Sequence, residues 1–398
     1  MNKASVNRQF GSIFLIIGTE IGAGILALPI LLAHIGLFAS SIILISAWAV
    51  MLFTALLICE INSSMESKIS FASMAEKFLG KPGKIFIIII FWCTLSSIGM
   101  AYISAAGSTL NHLINTPVIF SSVIFVLIFG LFIFLGTNVV DYANRILLSS
   151  KLAMFIIATG LLFTTIKISN LDIPPQLTTL VSSFPAIITA FILHNIIPSI
   201  RTYLSEDKKA LFRVVIIGSL IPLILYILWV ISVVGNIPQT GPHSFALLLQ
   251  KKTHSNVGDI LKLISLNVHS STIVFSLNFV AAISITTSFL GTSISLYHFT
   301  QDIFAHKTKS IIYYHVLPVI LTFIIPLAIV IKYPNIFITA LSYAGIGATI
   351  LFVLFPIIMI KILLKSGYVM PSWILQNNLI LNIVFIVGIG IILIQFCS

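Results

Sequence analysis

The stretch GTEIGAGILALP, residues 18–29, lies inside a long apolar run and departs from it in two ways. Gly18, Gly22 and Gly24 fall close together, and a glycine in a helix interior costs about 1 kcal/mol relative to alanine. Glu20 stands among them, although a charged side chain near the centre of a membrane helix costs about 2.5–3.5 kcal/mol on insertion scales. Together these residues predict a helix that breaks between residues 18 and 24. Unwound backbone at membrane depth is tolerated only where protein or a polar cavity satisfies its N–H and C=O groups. A half-helix starting near Gly24 turns its free N–H groups and positive dipole end into the break, which suits a carboxylate. The preceding half-helix ends on orphan carbonyls near Thr19, which suit an ammonium group or a cation. A solute with both charges on one carbon, an α-amino acid, matches these two ends.

The rest of the chain supplies the membrane. Of its 398 residues, 59% are hydrophobic and 8% charged, with a mean hydropathy of +1.16. A soluble domain carries roughly a quarter charged residues. Since about 20 apolar residues cross a bilayer, the apolar windows give about eleven spans. They lie near 10–35, 40–63, 85–113, 118–137, 143–166, 180–204, 210–236, 271–300, 311–331, 335–361 and 373–397. The expectation is an all-α integral membrane protein, a single transmembrane domain over 1–398 whose surface faces lipid. The net charge of +11 is scattered in short clusters between apolar runs, so it is topological and does not indicate nucleic-acid binding. With the N-terminus inside, outer connections hold only Lys167, Lys251, Lys252, Lys262 and Lys332, while the remaining Lys and Arg of the connections fall inside. The N-terminus is therefore expected in the cytoplasm and the C-terminus outside. Met1–Phe10 carries no small-residue cleavage site, so no cleaved signal peptide is expected. Cys59, Cys93 and Cys397 all lie in apolar runs and imply neither a disulfide framework nor a metal site, and no cofactor is indicated.

Two long connections, residues 65–84 and 237–270, contain helix-like pieces such as SFASMAEKF and GDILKLISL. They are five spans apart and fall on opposite sides of the membrane. The same offset pairs span one with span six, where FILHNIIPSIRTYL carries a proline and polar residues in mid-run around Leu193–Pro198. Because five is odd, a five-span repeat is inverted. The expected repeats are residues 10–166 and 180–361, with 373–397 as an extra helix. Interrupted segments at matching places in two halves point to a transporter's binding site.

The ordered set GTEIGAGILALP, LLICEI, AYISAAG, DYANRILLSSK, PSIRTYL, TSFLG and LSYAG resembles the bacterial aromatic amino acid permeases, closest to the tyrosine-specific ones. These belong to the amino acid–polyamine–organocation superfamily, with a leucine-transporter-like fold. The resemblance runs from about Phe10 to the last span. It implies a proton-coupled importer of eleven spans with two inverted five-helix repeats and broken helices one and six, in the bacterial cytoplasmic membrane. By the same resemblance Gly22, Ala23 and Gly24 offer backbone to the substrate carboxylate and Thr19 lines the break. Tyr102, Phe191, His194, Asn195 and Tyr343 are expected to face the pocket. Aromatic side chains there suit a ring-bearing substrate, since ring pairs contribute about 0.5–1.5 kcal/mol beyond area burial.

Lys151, in SSKLAMF, lies six residues past Arg145 and so roughly 9 Å deeper along span five. It either snorkels back to the interface or couples protons. In proton-coupled members of the superfamily a lysine here stands where sodium-coupled relatives bind an ion, and burial disfavours the charged form of a lysine. Glu20 departs from the related permeases, where a small or neutral residue is expected. It either titrates during transport, alone or coupled to Lys151, or hydrogen-bonds the unwound backbone without changing state. Glu60 reads as structural, and Thr286, Thr287 and Ser288 could face Lys151. The sequence therefore reads as a proton symporter for an aromatic amino acid, tyrosine first, with tryptophan or a hydroxy amino acid as the alternative and no obligate protein partner. A proton-conducting subunit would need ionisable residues across several spans, and only Glu20 and Lys151 stand out. An enzyme would need a clustered acid pair, metal set or nucleophilic triad, which the ten scattered acidic residues do not supply.

Overall fold

The structure is a computed structural model that describes the chain except for residues 1–5, 23, 34, 66–70, 135–136, 172–176, 247–255, 306–315, 369–371 and 398. All regular elements among the described residues are helical. The 18–29 stretch is split as its glycines demand: α1 spans Val6–Glu20, α2 spans Gly24–Leu32, and their axes bend by 51°. There follow α3 (Leu37–Ser63), α4 (Phe71–Ile114), α5 (Val118–Phe134) and α6 (Thr137–Phe163). The sixth apolar run is also interrupted. In it α7 (Leu177–Ile188) gives way to two 3₁₀ turns, Thr189–Phe191 and His194–Ile196, before α8 (Ile197–Tyr203). The break thus begins at Thr189, earlier than Leu193–Pro198, because Pro198 sits in the first turn of α8, where a proline's missing N–H costs nothing.

The second half continues with α9 (Lys208–Val234), α10 (Val257–Asn267), α11 (Ser271–Ala305), α12 (Leu317–Lys332) and α13 (Phe337–Lys365). A short turn, α14 (Trp373–Gln376), precedes α15 (Asn378–Cys397). α12 and α13 contain π-helical segments at Ile320–Ile324 and Thr349–Leu354, each just before a proline, Pro326 and Pro356. Seven described helices are long and apolar enough to cross a membrane, eight counting the bent α1–α2 pair. Three shorter apolar helices, Val118–Phe132, Leu147–Phe163 and Leu317–Lys332, stand at the other expected positions. The protein is a multi-pass membrane protein.

Both long connections carry helix. The first is continuous with α4, interrupted by a kink at Gly80, whose φ of 68° suits glycine. In the second, Asn256 and Asp259 form a capping box that starts α10, the helix that holds GDILKLISL.

The core packs α1 and α3 on α9, α3 on α7, α4 on α11 and α13, α6 on α11, and α7 on α13. α1 and α9 run in the same direction. Along them Arg213 reaches Gln9, Gly218 faces Ile16, Tyr226 reaches the backbone of Glu20 and Trp229 that of Ile25. At the N-terminal end of α9, Lys208 Nζ bonds Glu60 Oε1 at 2.7 Å, and the Tyr368 hydroxyl donates to the same oxygen at 3.1 Å. Burial and the neighbouring Glu60 carboxylate push the Tyr368 phenol up to about 12. Arg201 pairs with Glu206 and donates to the carbonyls of Asn62 and Met65. Glu60 therefore ties the ends of α3, α9 and α13 together.

Candidate functional site

The two broken runs meet. A Cβ placed on Gly24 would lie 2.6 Å from Cβ of Ala190, so only a glycine lets the start of α2 approach the first 3₁₀ turn this closely. A Cβ on Gly22 would lie 3.0 Å from Ser288 Oγ and 3.1 Å from Tyr102 Oη, which brings α11 and α4 to the same point. The chain's own donors then take carbonyls on both sides of the break. Lys151 Nζ donates to the Ile21 carbonyl at 2.5 Å and lies 3.5 Å from Thr287 Oγ1. Tyr226 Oη donates to the Glu20 carbonyl at 2.5 Å and lies 3.3 Å from that of Ala190. Trp229 Nε1 donates to the Ile25 carbonyl at 2.5 Å. The nitrogen that sits at this end of the break is that of Lys151, on the Ile21 carbonyl. At 1% exposure Lys151 does not snorkel.

A cavity of about 860 Å³ opens beside this junction, within the range of about 300–1,000 Å³ usual for ligand pockets. Gly11, Tyr203, Ser295 and Phe91 line it toward the N-terminal end of α1, where Phe91 packs on Phe299; Tyr102 and Phe352 give it aromatic surface near the break. On the far side of the break the chain is tightly bonded. Gly258 N of α10 donates to Ser108 Oγ at 3.1 Å, Asn256 Nδ2 donates to Ser104 Oγ at 3.1 Å, and Ser104 Oγ donates to the Pro334 carbonyl at 2.6 Å.

The expected site residues divide between the cavity and its surroundings. Thr19, Glu20, Gly22, Gly24, Tyr102, Lys151 and Asn195 line the cavity. Ala23 lies outside the described residues. Phe191 and His194 are fully buried and do not line it. Phe191 packs edge-on against Tyr226 with ring centroids 5.5 Å apart. His194 is paired with Thr54 at 3.0 Å through Nε2 and stacks on Phe352, so it positions that wall instead of forming it. Tyr343 is 55% exposed and away from the cavity, because α13 turns its neighbours Ser342 and Ala344 inward instead. Of the α11 hydroxyls, Thr287 meets Lys151 and Ser288 lines the cavity, while Thr286 faces a separate apolar pocket. Tyr226 and Trp229, which hold the break, were not expected from sequence. Their only signal is two aromatics with polar tips inside the apolar run LILYILWVIS.

Chemically, the junction offers the free N–H groups at the start of α2 to an anion, a buried ammonium, a buried carboxyl and aromatic walls. A sequence model of the tryptophan/tyrosine permease family matches residues 5–395. Tyrosine-specific transport system 1 of Haemophilus influenzae is 33% identical over 98% of this chain and 97% of its own length. Glutamine transporter 2 of Aliivibrio fischeri is 30% identical over 90% of each chain. A tryptophan-specific transport protein of Haemophilus influenzae is 30% identical over 88% of this chain and 86% of its own.

Proposed function

This chain belongs to the tryptophan/tyrosine permease family and is a permease, not an enzyme; from that premise we propose that it imports tyrosine together with protons. The observation that carries this reading is the junction of the broken runs. The α2 N-terminus is directed at the break, Lys151 is anchored on the Ile21 carbonyl, and aromatic side chains line the adjoining cavity. The substrate carboxylate binds the N–H groups from Gly22 to Gly24, and Thr19, Tyr102 and Asn195 contact the remainder. Lys151 is the proton-coupling group. Its ammonium stands on a backbone carbonyl beside the break, so a sodium ion has no vacant place there. Tryptophan or a hydroxy amino acid is the alternative cargo, and the glutamine transporter among the relatives marks how far specificity varies between similar chains.

The membrane reading is eleven spans in the bacterial inner membrane, N-terminus inside and C-terminus outside, as two inverted five-helix repeats and an extra helix. Packing supports the repeats: exchanging each span for the one five further on turns α1 on α9 into α7 on α3, and α4 on α13 into α11 on α6. The cavity then opens inward, and transport alternates by rocking one set of helices against the rest. Uptake of labelled tyrosine into proteoliposomes, with and without an inward proton gradient, tests the reading. The expected result is gradient-dependent accumulation competed by tyrosine, tryptophan or phenylalanine. Accumulation that ignores the proton gradient, or responds to no aromatic amino acid, overturns it.

A further inference from the structure

Glu20 is 3% exposed, and neither of its carboxyl oxygens has a hydrogen-bond partner among the described residues. An ionised carboxylate in that situation is among the most costly groups a protein interior can hold. The ionisable groups around it are engaged elsewhere. Lys151 of α6 holds the Ile21 carbonyl and Thr287; Tyr226 of α9 donates to the Glu20 and Ala190 carbonyls. Tyr102 of α4 stands at Gly22, and His194 of the sixth run pairs with Thr54 and stacks on Phe352. None of these bonds the Glu20 side chain.

What faces Glu20 follows from the register of α1 on α9. Ile16, one turn below Glu20 on the same face, packs onto Gly218, where a Cβ would lie 2.8 Å from its Cδ1. The backbone of Glu20 meets Tyr226. The Glu20 side chain leans toward the N-terminus of its helix and so lies level with the turn between Gly218 and Tyr226. That turn contains buried Pro222. A proline has no N–H, so the Gly218 carbonyl, four residues before it, lacks its helical donor. A carboxylate offers such a carbonyl only repulsion. A carboxylic acid offers it a proton.

We infer that Glu20 is a second proton-carrying site of the transport cycle, held as a carboxylic acid that donates toward the Gly218 carbonyl freed by Pro222. The inference rests on the proton-symport reading. Glu20 is adjacent to Ile21, whose carbonyl Lys151 holds, and it borders the cavity. Any rearrangement of the break that lifts α1 off α9 takes the acid from its acceptor into water, where a carboxyl ionises at neutral pH. In the proposed symport the acid loads its proton in the outward-opening state, still holds it in the state seen here, and releases it into the inward-opening cavity when the break rearranges. No co-reactant besides water is needed.

The test uses the full-length protein in proteoliposomes with infrared difference spectra of wild type against E20Q. The expected result is a protonated-carboxyl band in wild type that E20Q lacks, and that P222A, which returns an N–H to the Gly218 carbonyl, shifts or removes. Tyrosine accumulation is read at an inward gradient of one pH unit with the membrane potential clamped at zero, relative to counterflow on the same liposomes. One coupled proton fewer then lowers the limiting accumulation about tenfold in E20Q. Absence of the wild-type band overturns the inference. So does a band accompanied by unchanged accumulation in E20Q, which makes Glu20 a structural acid. If wild type shows no tyrosine counterflow, the substrate reading fails, and the infrared comparison still decides the protonation of Glu20.

Discussion

Gly24→Ala adds one methyl group at the point where the two broken runs touch. The new Cβ would lie 2.6 Å from Cβ and 3.0 Å from Cα of Ala190, with Tyr226 Oη at 3.4 Å. Carbon atoms in good contact sit about 3.5–4.0 Å apart, so the junction must open by roughly 1 Å. Neither Ala190 atom can swing aside, since one is backbone and the other is fixed to it. Overpacking of this kind costs about 1–3 kcal/mol. A glycine-to-alanine change at an unstrained position contributes about 0.4–1 kcal/mol in the other direction. The contact wins, by about 1–2 kcal/mol. If that strain falls on the substrate-competent junction, tyrosine counterflow drops about five- to thirty-fold. Ala190→Gly removes the closer of the two carbons, so the double variant recovers most of the loss. A double-mutant cycle then gives a coupling of about 1 kcal/mol or more between the two positions. Counterflow and thermal unfolding of the purified protein, measured on all four forms, decide it. A Gly24→Ala protein with wild-type counterflow, or a double variant no better than Gly24→Ala, refutes the reasoning.

Lys151→Met keeps an unbranched side chain one atom shorter and removes the ammonium on the Ile21 carbonyl. Proton-driven tyrosine accumulation is expected to be lost, and a variant that still accumulates against a gradient removes Lys151 from the coupling role. Tyr226→Phe leaves the buried Glu20 carbonyl without its 2.5 Å donor, which costs about 1–3 kcal/mol and is read as a lower unfolding temperature in detergent. Tyr368 differs in pH dependence. Its phenol is raised from 10.0 to about 12, so the folded state holds that proton more tightly than the unfolded chain. The stability it contributes is complete below pH 10 and is lost as the pH rises toward 12. Tyr368→Phe should therefore lower stability at neutral pH and show a shallower alkaline decline, followed by unfolding in detergent across that range.

Much of this geometry is legible because glycine and charge are costly in apolar helices. Gly22 and Gly24 mark the place where α1 ends and α2 begins to within a few residues, since no other signal would tolerate them there. Lys151 is legible for the same reason: six residues past Arg145 it needs a partner, and the structure gives it a carbonyl. The aromatics were not legible individually. Phe191, His194 and Tyr343 all lie on runs that pass the site, but whether a ring faces the cavity depends on rotation about the helix axis. In the sixth run the 3₁₀ turns change that rotation, and in α13 the regular stretch Phe337–Ala348 turns Ser342 and Ala344 inward and Tyr343 out. Tyr226 and Trp229 escaped for a different reason. Their hydroxyl and indole N–H act on backbone of another helix, and a long-range pairing has no local spacing to reveal it.

The position of Lys151 also bears on how a proton and a zwitterion would travel together in the proposed symport. Its ammonium and the ammonium of an amino acid seek the same electronegative ground, the carbonyls at the end of α1. Both at full charge in one dry junction repel each other, by about 4 kcal/mol for unit charges 4 Å apart at an effective dielectric of 20. A symporter needs both on board at once, so in the proposed symport the substrate ammonium lies away from Ile21 while its carboxylate, at the start of α2, faces the Lys151 ammonium. Loss of the Lys151 proton removes that attraction, and the bond to Ile21 weakens, because a neutral amine donates less strongly than an ammonium. Substrate binding and the charge on Lys151 are thus linked through the break, and linkage acts both ways. Raising the pH on the cavity side should weaken tyrosine binding to wild type and leave binding to Lys151→Met unchanged. Equal pH dependence in the two proteins would break the link between this lysine and substrate, whatever its effect on overall transport.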